Sequence, residues 1–341
     1  MKNSFRISLA AAIIATGTSL SCKGSDNEPT LKPEEKPKPE NPAEVKILYW
    51  NLSCGMWADQ GNNYDNFVAW VKAQDPDICV WNEAETTFDT GVFDWNTRAT
   101  EKYLPEHWPE VAARYGHKYV MVNGASQSLV TTSKYPFERE ADFYCERGKM
   151  EARSGTTIYK FDLNGEEVRF VSLHLHPHHY NPYVPKSERE QSKKESGGDL
   201  FRTQEIQSIC DVTINKDPKA AENNWIMLGD FNARSPLDND VYKYPLDSPS
   251  LRCISYVLNE TPYLDAVKEK HPKEFITSTY DYNHRIDFVF CTPPLMKKVT
   301  SANIIKDYYT RMKALDDLYP GQYCRVPSDH YPIILKLDMS K

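Results

Sequence analysis

No run in this sequence approaches the roughly 20 apolar residues a helix needs to span a bilayer, which argues against a membrane-spanning protein. Repeats at solenoid periods are missing too, as are collagen-like and low-complexity tracts that would dominate the chain. A surplus of positive charge is also absent: 41 Lys+Arg stand against 48 Asp+Glu, a balance of −7. Proteins that coat nucleic acid regardless of sequence draw most of their affinity from Lys and Arg on phosphates. The balance counts against that class while leaving room for a local basic groove. What the chain does have is 40 % hydrophobic residues with 21 Tyr and 7 Trp, enough to fill a sizeable core and to exclude a wholly disordered or coiled-coil chain.

The one apolar stretch, Ile7 to Ala15, lies behind Lys2 and Arg6 and leads through small residues to Ser21 and Cys22. Residues 1–21 thus resemble a bacterial lipoprotein signal peptide, with Cys22 as the lipidated residue. Ser19 holds the place three before the cysteine where Leu is usual, and Leu20 follows it. The alternative is a plain secretory signal that leaves Cys22 as an ordinary thiol. Either way the protein is expected outside the cytoplasm. A lipid anchor would fix it to the bacterial envelope, facing the periplasm or the cell exterior. Removing 1–21 leaves 39 cationic against 48 anionic residues, or −9. Residues 22–43, with five prolines, many charges and almost no large apolar side chain, suit an extended tether. At about 3 Å per residue it would hold a domain tens of ångströms from the membrane.

From residue 44 to 341 no second linker interrupts the chain, and these 298 residues read as one domain. Runs rich in β-branched and aromatic residues (VKILYW, DICVW, KYVMV, TTIYKFDL, VRFVSLHL, NWIML, RIDFVF, PIILKL) predict strands. Apolar periodicity predicts helices over 64–74 and 200–214. Several middle strands follow one another without room for a helix, and Asn164-Gly165 marks a two-residue hairpin. The pattern indicates a mixed α/β layered sandwich instead of a doubly wound parallel sheet.

Polar residues recur at or inside these apolar strands: Asn51, Glu83, His174, Asp230 with Asn232, Asp287, and Asp329 with His330. One such residue alone is usually a turn-former or cap. So many buried carboxylates, however, would be costly without a metal or a partner, and convergence on one pocket is the economical explanation.

LYWNL (48–52), PDICVWNE (76–83), SLHLHP (172–177), MLGDFNAR (227–234), RIDFVF (285–290) and SDHYPI (328–333) occur in the order and approximate spacing of the endonuclease/exonuclease/phosphatase superfamily, which the domain resembles over nearly its whole length. The resemblance implies a four-layer, DNase I-like α/β sandwich of two mixed β-sheets flanked by helices, and metal-dependent hydrolysis of a phosphate ester. Carried over by position, it implies Glu83 as principal ligand of Mg2+ (or Mn2+), with Asn51 beside it and Asp329 available to the metal or its waters. Magnesium suits such hard oxygen donors. Asn82 stands where family members usually have Gln, a change expected to touch only the geometry behind the ligand. By the same resemblance Asp230 positions and deprotonates the attacking water, and Asn232 orients it. His330 contacts the scissile phosphate, held in tautomer by Asp287, and His174 is the second phosphate-side histidine. In-line attack follows, with donors and metal stabilising the added charge.

The run His174, His176, His178, His179 also invites a zinc reading, which Pro177 and the lack of a nearby Cys disfavour. The loop after it supplies Tyr180, Tyr183 and Lys186 as candidate substrate contacts, the alternative being an exposed insertion. Arg147, Lys149 and Arg153 form a second basic cluster, either phosphate-facing or merely solvated. Cys79 and Cys291 fall in strand-like runs and read as core residues, whereas Cys145, Cys253 and Cys324 fall in loop-like contexts open to disulfides. For substrate, a small, lipid-borne or nucleic-acid phosphoester is expected, so an extracellular nuclease and a sphingomyelinase-like phospholipase both stay open. TYDYNHRIDFVF lacks the Pro-rich Cys-Asp-Arg sequence typical of inositol polyphosphate phosphatases. A catalytically inactive, lipid-anchored binding protein is the reading from a different class. No protein partner is evident.

Overall fold

The computed structural model describes residues 43–53, 63–84, 107–123, 129–143, 155–280, 283–311 and 326–341. The leader, Cys22, the tether, Arg147, Lys149, Arg153, Cys145 and Cys324 lie outside the described residues.

Among the described residues twelve strands form two six-stranded sheets. The first runs β11 (Val299–Ile304), β12 (Ile333–Asp338), β1 (Glu44–Asn51), β2 (Ile78–Asn82), β4 (Leu129–Ser133), β3 (Tyr119–Asn123). The second runs β5 (Phe137–Phe143), β6 (Thr156–Leu163), β7 (Glu166–His174), β8 (Asn224–Asp230), β10 (Asp287–Cys291), β9 (Leu264–Asp265). Each sheet holds one parallel pair, β1/β2 and β7/β8, among antiparallel neighbours. The mixed sandwich expected from the sequence is therefore present. Leu163 pairs with Glu166 across Asn164 (φ 55°) and Gly165 (φ 82°), the two left-handed residues a tight hairpin requires.

Period-two alternation sorts the side chains into layers. Ile47 and Tyr49 of β1, Ile78 and Val80 of β2, Phe170 of β7, Ile226 and Leu228 of β8 and Val289 of β10 meet in the core between the sheets. The intervening residues point outward. Leu48, Trp50 and Trp81 pack under helices α1 (Asp65–Gln74) and α2 (Trp108–Arg114), where Phe67 stacks edge-on to Trp81 and Trp108. Val171, Leu173, Met227 and Phe288 pack under α3 (Gly197–Val212) and α4 (Pro249–Glu260). The result is four layers. Each fully buried large side chain contributes about 1.5–3 kcal/mol. Cys253, expected in a loop, instead lies on the buried stripe of α4 beside Ile254 and Val257 and is a free thiol, as are Cys79, Cys210 and Cys291. Among the described residues no helix is long and apolar enough to cross a membrane.

Gly229 faces Leu173 in the parallel β7/β8 pair, and a Cβ there would lie 2.0 Å from the Leu173 carbonyl oxygen. The clash is with backbone and cannot be relieved by a rotamer change. Gly229→Ala is expected to destabilise the fold by ~2 kcal/mol or more, the scale of overpacking, in chemical denaturation. An unchanged midpoint would show that the two strands can part without cost.

Candidate active site

Inner-face positions are apolar through the middle of the sandwich and turn polar at one edge. Asn51 ends β1 two residues after Tyr49, and Asn82 ends β2 two after Val80, the two asparagines lying in register. In the opposite sheet His174 ends β7, Asp230 ends β8 and Asp287 begins β10. Register places His174 beside Asp230 and Asp230 beside Asp287. Glu83 follows β2 with φ 50°, and Asn232 follows β8 with φ 49°, both left-handed. Asp329 and His330 precede β12.

These edges are tied across the sandwich. The Tyr49 hydroxyl donates to Asp287 Oδ1 (2.8 Å), and Asn82 Nδ2 donates to the Leu173 carbonyl (2.7 Å). Asn82 therefore bonds one sheet to the other, a larger part than the adjustment expected of it. Asp287 Oδ2 accepts from Ser278 Oγ (2.7 Å) and lies 2.8 Å from His330 Nδ1. The His330 carbonyl accepts from Trp50 Nε1 (2.8 Å). Ser328 Oγ donates to the Asn51 carbonyl (2.6 Å) and accepts from the His330 amide (3.0 Å). The SDH segment is thus pinned to β1. Tyr49, Ser278 and Ser328 escaped the sequence reading. Tyr49 shares the face of Asn51 by strand alternation, a pattern already visible in LYWN, whereas Ser278 carries no local pattern.

Asn51 Nδ2 lies 3.2 Å from Glu83 Oε1 and 3.0 Å from Asp230 Oδ2, while its Oδ1 accepts from the Ser53 amide (2.9 Å). As placed, Asn51 draws the two carboxylates together with its nitrogen and turns its oxygen away, unlike the ligand expected. His174 Nε2 is 3.7 Å from both Glu83 Oε1 and Asp230 Oδ2 and 3.3 Å from Asn232 Nδ2. His330 Nε2 stands 3.7 Å from Asp230 Oδ2 and 3.8 Å from Asp329 Oδ1. A cavity of about 360 Å3 opens beside this cluster, and Asn232, Asp329 and His330 line it together with His179, Arg234 and His284. His174 is wholly buried, and Asn51, Glu83, His174, Asp230 and Asp287 are not among the residues lining the cavity. Tyr180, Tyr183 and Lys186 are not among its lining residues. Tyr180 is stacked on His178 with Arg189 over its ring, Tyr183 packs edge-on against Phe201, and Lys186 is exposed. His176 Nε2 lies 2.8 Å from the Tyr180 carbonyl oxygen, so the histidine run does not converge on one point.

Burial, reinforced by the adjacent Asp287 charge, pushes the Asp230 carboxyl up to about 8. Burial opposes charge on His330, but Asp287, Asp329 and Asp230 outweigh it and raise its pKa well above the usual imidazole range. Burial lowers His174 and keeps it neutral. It raises Asp329, an effect to which Glu83 adds and which His330 opposes.

The donor set fits a metal ion. Two triplets, Glu83/His174/Asp230 and Asp230/Asp287/His330, each hold potential ligand atoms within 4.8 Å of one another. Glu83 and Asp230 converge on the same amide nitrogen, and Asp230 is a buried carboxylate that the protein's own groups leave under-compensated. Hard, convergent, charge-deficient oxygens suit a divalent cation such as Mg2+, so the residues fit.

The model of the endonuclease/exonuclease/phosphatase family matches residues 48–330. The chain belongs to that family. Among solved structures it is similar to an AP endonuclease from Archaeoglobus fulgidus (18 % identity, TM-score 0.56, covering 86 % of this chain and 99 % of that one). It is also similar to an endonuclease/exonuclease/phosphatase from Beutenbergia cavernae (17 %, 0.54, 86 % and 71 %). A third is the 3′ phosphatase NExo from Neisseria bound to product DNA hairpin (17 %, 0.50, 86 % and 99 %). At these identities the structural likeness speaks for the DNase I-like fold. No curated relative matches the chain in sequence.

Asp230 gives a pH test. A folded-state pKa of about 8, against the ordinary 3.8, favours the protonated form in the fold. That contribution to stability is complete below the ordinary value and is lost as pH rises through about 8. In EDTA, the melting temperature of wild type should fall relative to Asp230→Asn as pH rises from 5 to about 8, then run parallel. Parallel curves across the whole range would refute the buried, under-compensated carboxyl.

Proposed function

We propose that the protein is a divalent-cation-dependent hydrolase of phosphate esters acting outside the cytoplasm. The observation that carries this reading is the cross-sheet cluster itself: Glu83 and Asp230 converging on the Asn51 amide nitrogen, with Asp287 paired to His330, which lines the adjoining cavity. Membership of a family whose name spans nucleases and phosphatases supports it.

Glu83 and Asp230, with Asp329 at the rim, would hold the ion. A bound Mg2+ or Mn2+ would polarise the phosphoryl oxygens and offset charge gained on attack. The protein's own groups do the rest. Asp230, whose Oδ1 accepts from the Asn232 amide, takes the proton of the attacking water. Asn232, at the cavity wall, orients that water. His330, charged and steered by Asp287 through Nδ1, presents Nε2 to a phosphoryl oxygen where negative charge develops. His174, expected to face the phosphate, instead braces Glu83, Asp230 and Asn232 from below. The acidic balance and a cavity sized for a small molecule favour a small or lipid-borne phosphoester over long duplex DNA.

Hydrolysis of aryl phosphate mono- or diesters should require Mg2+ or Mn2+ and stop in EDTA. His330→Ala should lower kcat by about 100-fold or more. Full activity of metal-stripped protein, or a near-normal rate in a folded variant, would sink the assignment. Plasmid DNA outpacing every smaller substrate at physiological salt would favour the nuclease reading. No turnover of any phosphoester would favour a binding protein.

Anchoring through Cys22 is proposed from the leader. Labelled fatty acid should enter the wild type, and Cys22→Ala should leave the membrane fraction. Equal solubility of the two would mean a secretory signal only.

A further inference from the structure

The cavity that His330 lines extends away from the carboxylate cluster. From Asn232, Asp329 and His330 its lining continues to Arg234, His284 and His179. Arg234 follows Asn232 by two residues, so β8, which delivers Asp230, also delivers this guanidinium. Its Nη2 stands 3.3 Å from His284 Nε2, and its Cζ lies 5.7 Å from the centre of the Tyr244 ring. Its Nε is buried without a hydrogen-bond partner.

Among the described residues the buried arginines are neutralised. Arg285 meets Asp238 and Asp265 at 2.7 Å each, and Arg202 meets Asp199 at 2.5 Å. Among the described residues no carboxylate lies within ion-pair distance of Arg234. In a chain with a net charge of −7, a guanidinium left without a counter-charge in a cleft stands outside the pattern. The imidazoles beside it do not replace the missing anion. Burial lowers the pKa of His284, with Arg234 adding to it, and lowers that of His179, to which Arg202 and Arg234 contribute, so both are neutral near pH 7. Arg202, which also lines the cavity, is paired with Asp199, so the uncompensated charge of this corner is that of Arg234, a planar fork of donors beside two neutral rings. That combination matches a carboxylate or phosphate.

We propose that Arg234, with His284 and His179, seats a second anionic group carried by the same small molecule as the scissile phosphate, and so sets substrate specificity. The proposal rests on the hydrolase reading for the identity of the first group. Two ends of one cavity of about 360 Å3 then hold two oxyanions of one compact substrate. One is at His330 and Asn232, where the ester is cleaved. The other is at Arg234, where nothing reacts.

Calorimetry in Mg2+ tests this on wild type, Arg234→Gln and Arg234→Lys. The probes are phenylphosphonate, the 2-, 3- and 4-carboxyphenylphosphonates and 1,3-phenylene bisphosphonate. Wild type should bind the best doubly anionic probe at least tenfold tighter than phenylphosphonate. Arg234→Gln should erase that difference, and Arg234→Lys should keep part of it. The better of the carboxylate and the second phosphonate tells which anion the corner is built for. Wild-type affinity that is equal for all probes, or absent, overturns the proposal, as does a preference that survives Arg234→Gln. Turnover of p-nitrophenyl phosphate, measured alongside, separates the two readings. An anion preference without turnover leaves the Arg234 corner standing and removes the hydrolase. Turnover without preference does the reverse.

Discussion

Strand register at β7, β8 and β10 is the constraint on which the site depends. His174, Asp230 and Asp287 are far apart in sequence, yet backbone hydrogen bonds set them abreast on one face. A slip of one residue in any of these strands would send its polar residue to the opposite face and bring an apolar one into the site. The hydrophobic alternation that fills the core between the sheets therefore also fixes the geometry of this polar cluster, and the same period delivers Asn51 and Tyr49 from the other sheet. Short hydrogen bonds from Tyr49 and Asn82 then fix how far apart the two sheets stand at this edge.

The electrostatics follow from that crowding. Asp230 and Asp287 are buried neighbours, so the Asp230 charge is poorly tolerated. The molecule answers on one side only. Asp287 is satisfied by Tyr49, Ser278 and His330, whereas among the described residues Asp230 has the Asn232 amide, the Asn51 side chain and imidazole nitrogens at a longer reach. Two aspartates of the same type are thereby given different tasks: one orients a histidine, and the other is left with an appetite for a proton or a cation.

Much of this was legible in the sequence, and the exceptions have physical causes. Central strands announce themselves because both faces are buried, as in ICVWN and NWIMLGD. The edge strands β5 (FEREADF) and β11 (VTSANI) went unread because a strand with one free side carries polar residues. β4 (LVTTS) is fully buried, but its hydroxyls dilute the apolar run. Polar residues at strand ends marked the site, yet distances between them depend on tertiary packing, so the inward turn of His174 and the cross-sheet bond of Asn82 were not visible. Tyr180 drew attention as an aromatic in a loop, and its ring is occupied by His178 and Arg189. Arg234 was overlooked beside the more familiar Asp230 and Asn232.

Glu83 sits on left-handed backbone at φ 50°, a conformation natural to glycine and uphill for a glutamate by about 1 kcal/mol. Asn232 tolerates its own left-handed turn better, because asparagine is among the residues that accept it. The strand end before Glu83 is therefore shaped for a residue without a side chain and occupied by one with a carboxylate. A search for more heat-resistant variants would be drawn to this position, and a glycine accepted there would relax the turn while deleting the oxygen that faces Asn51. At this one residue backbone comfort and the carboxylate that the cluster uses pull in opposite directions.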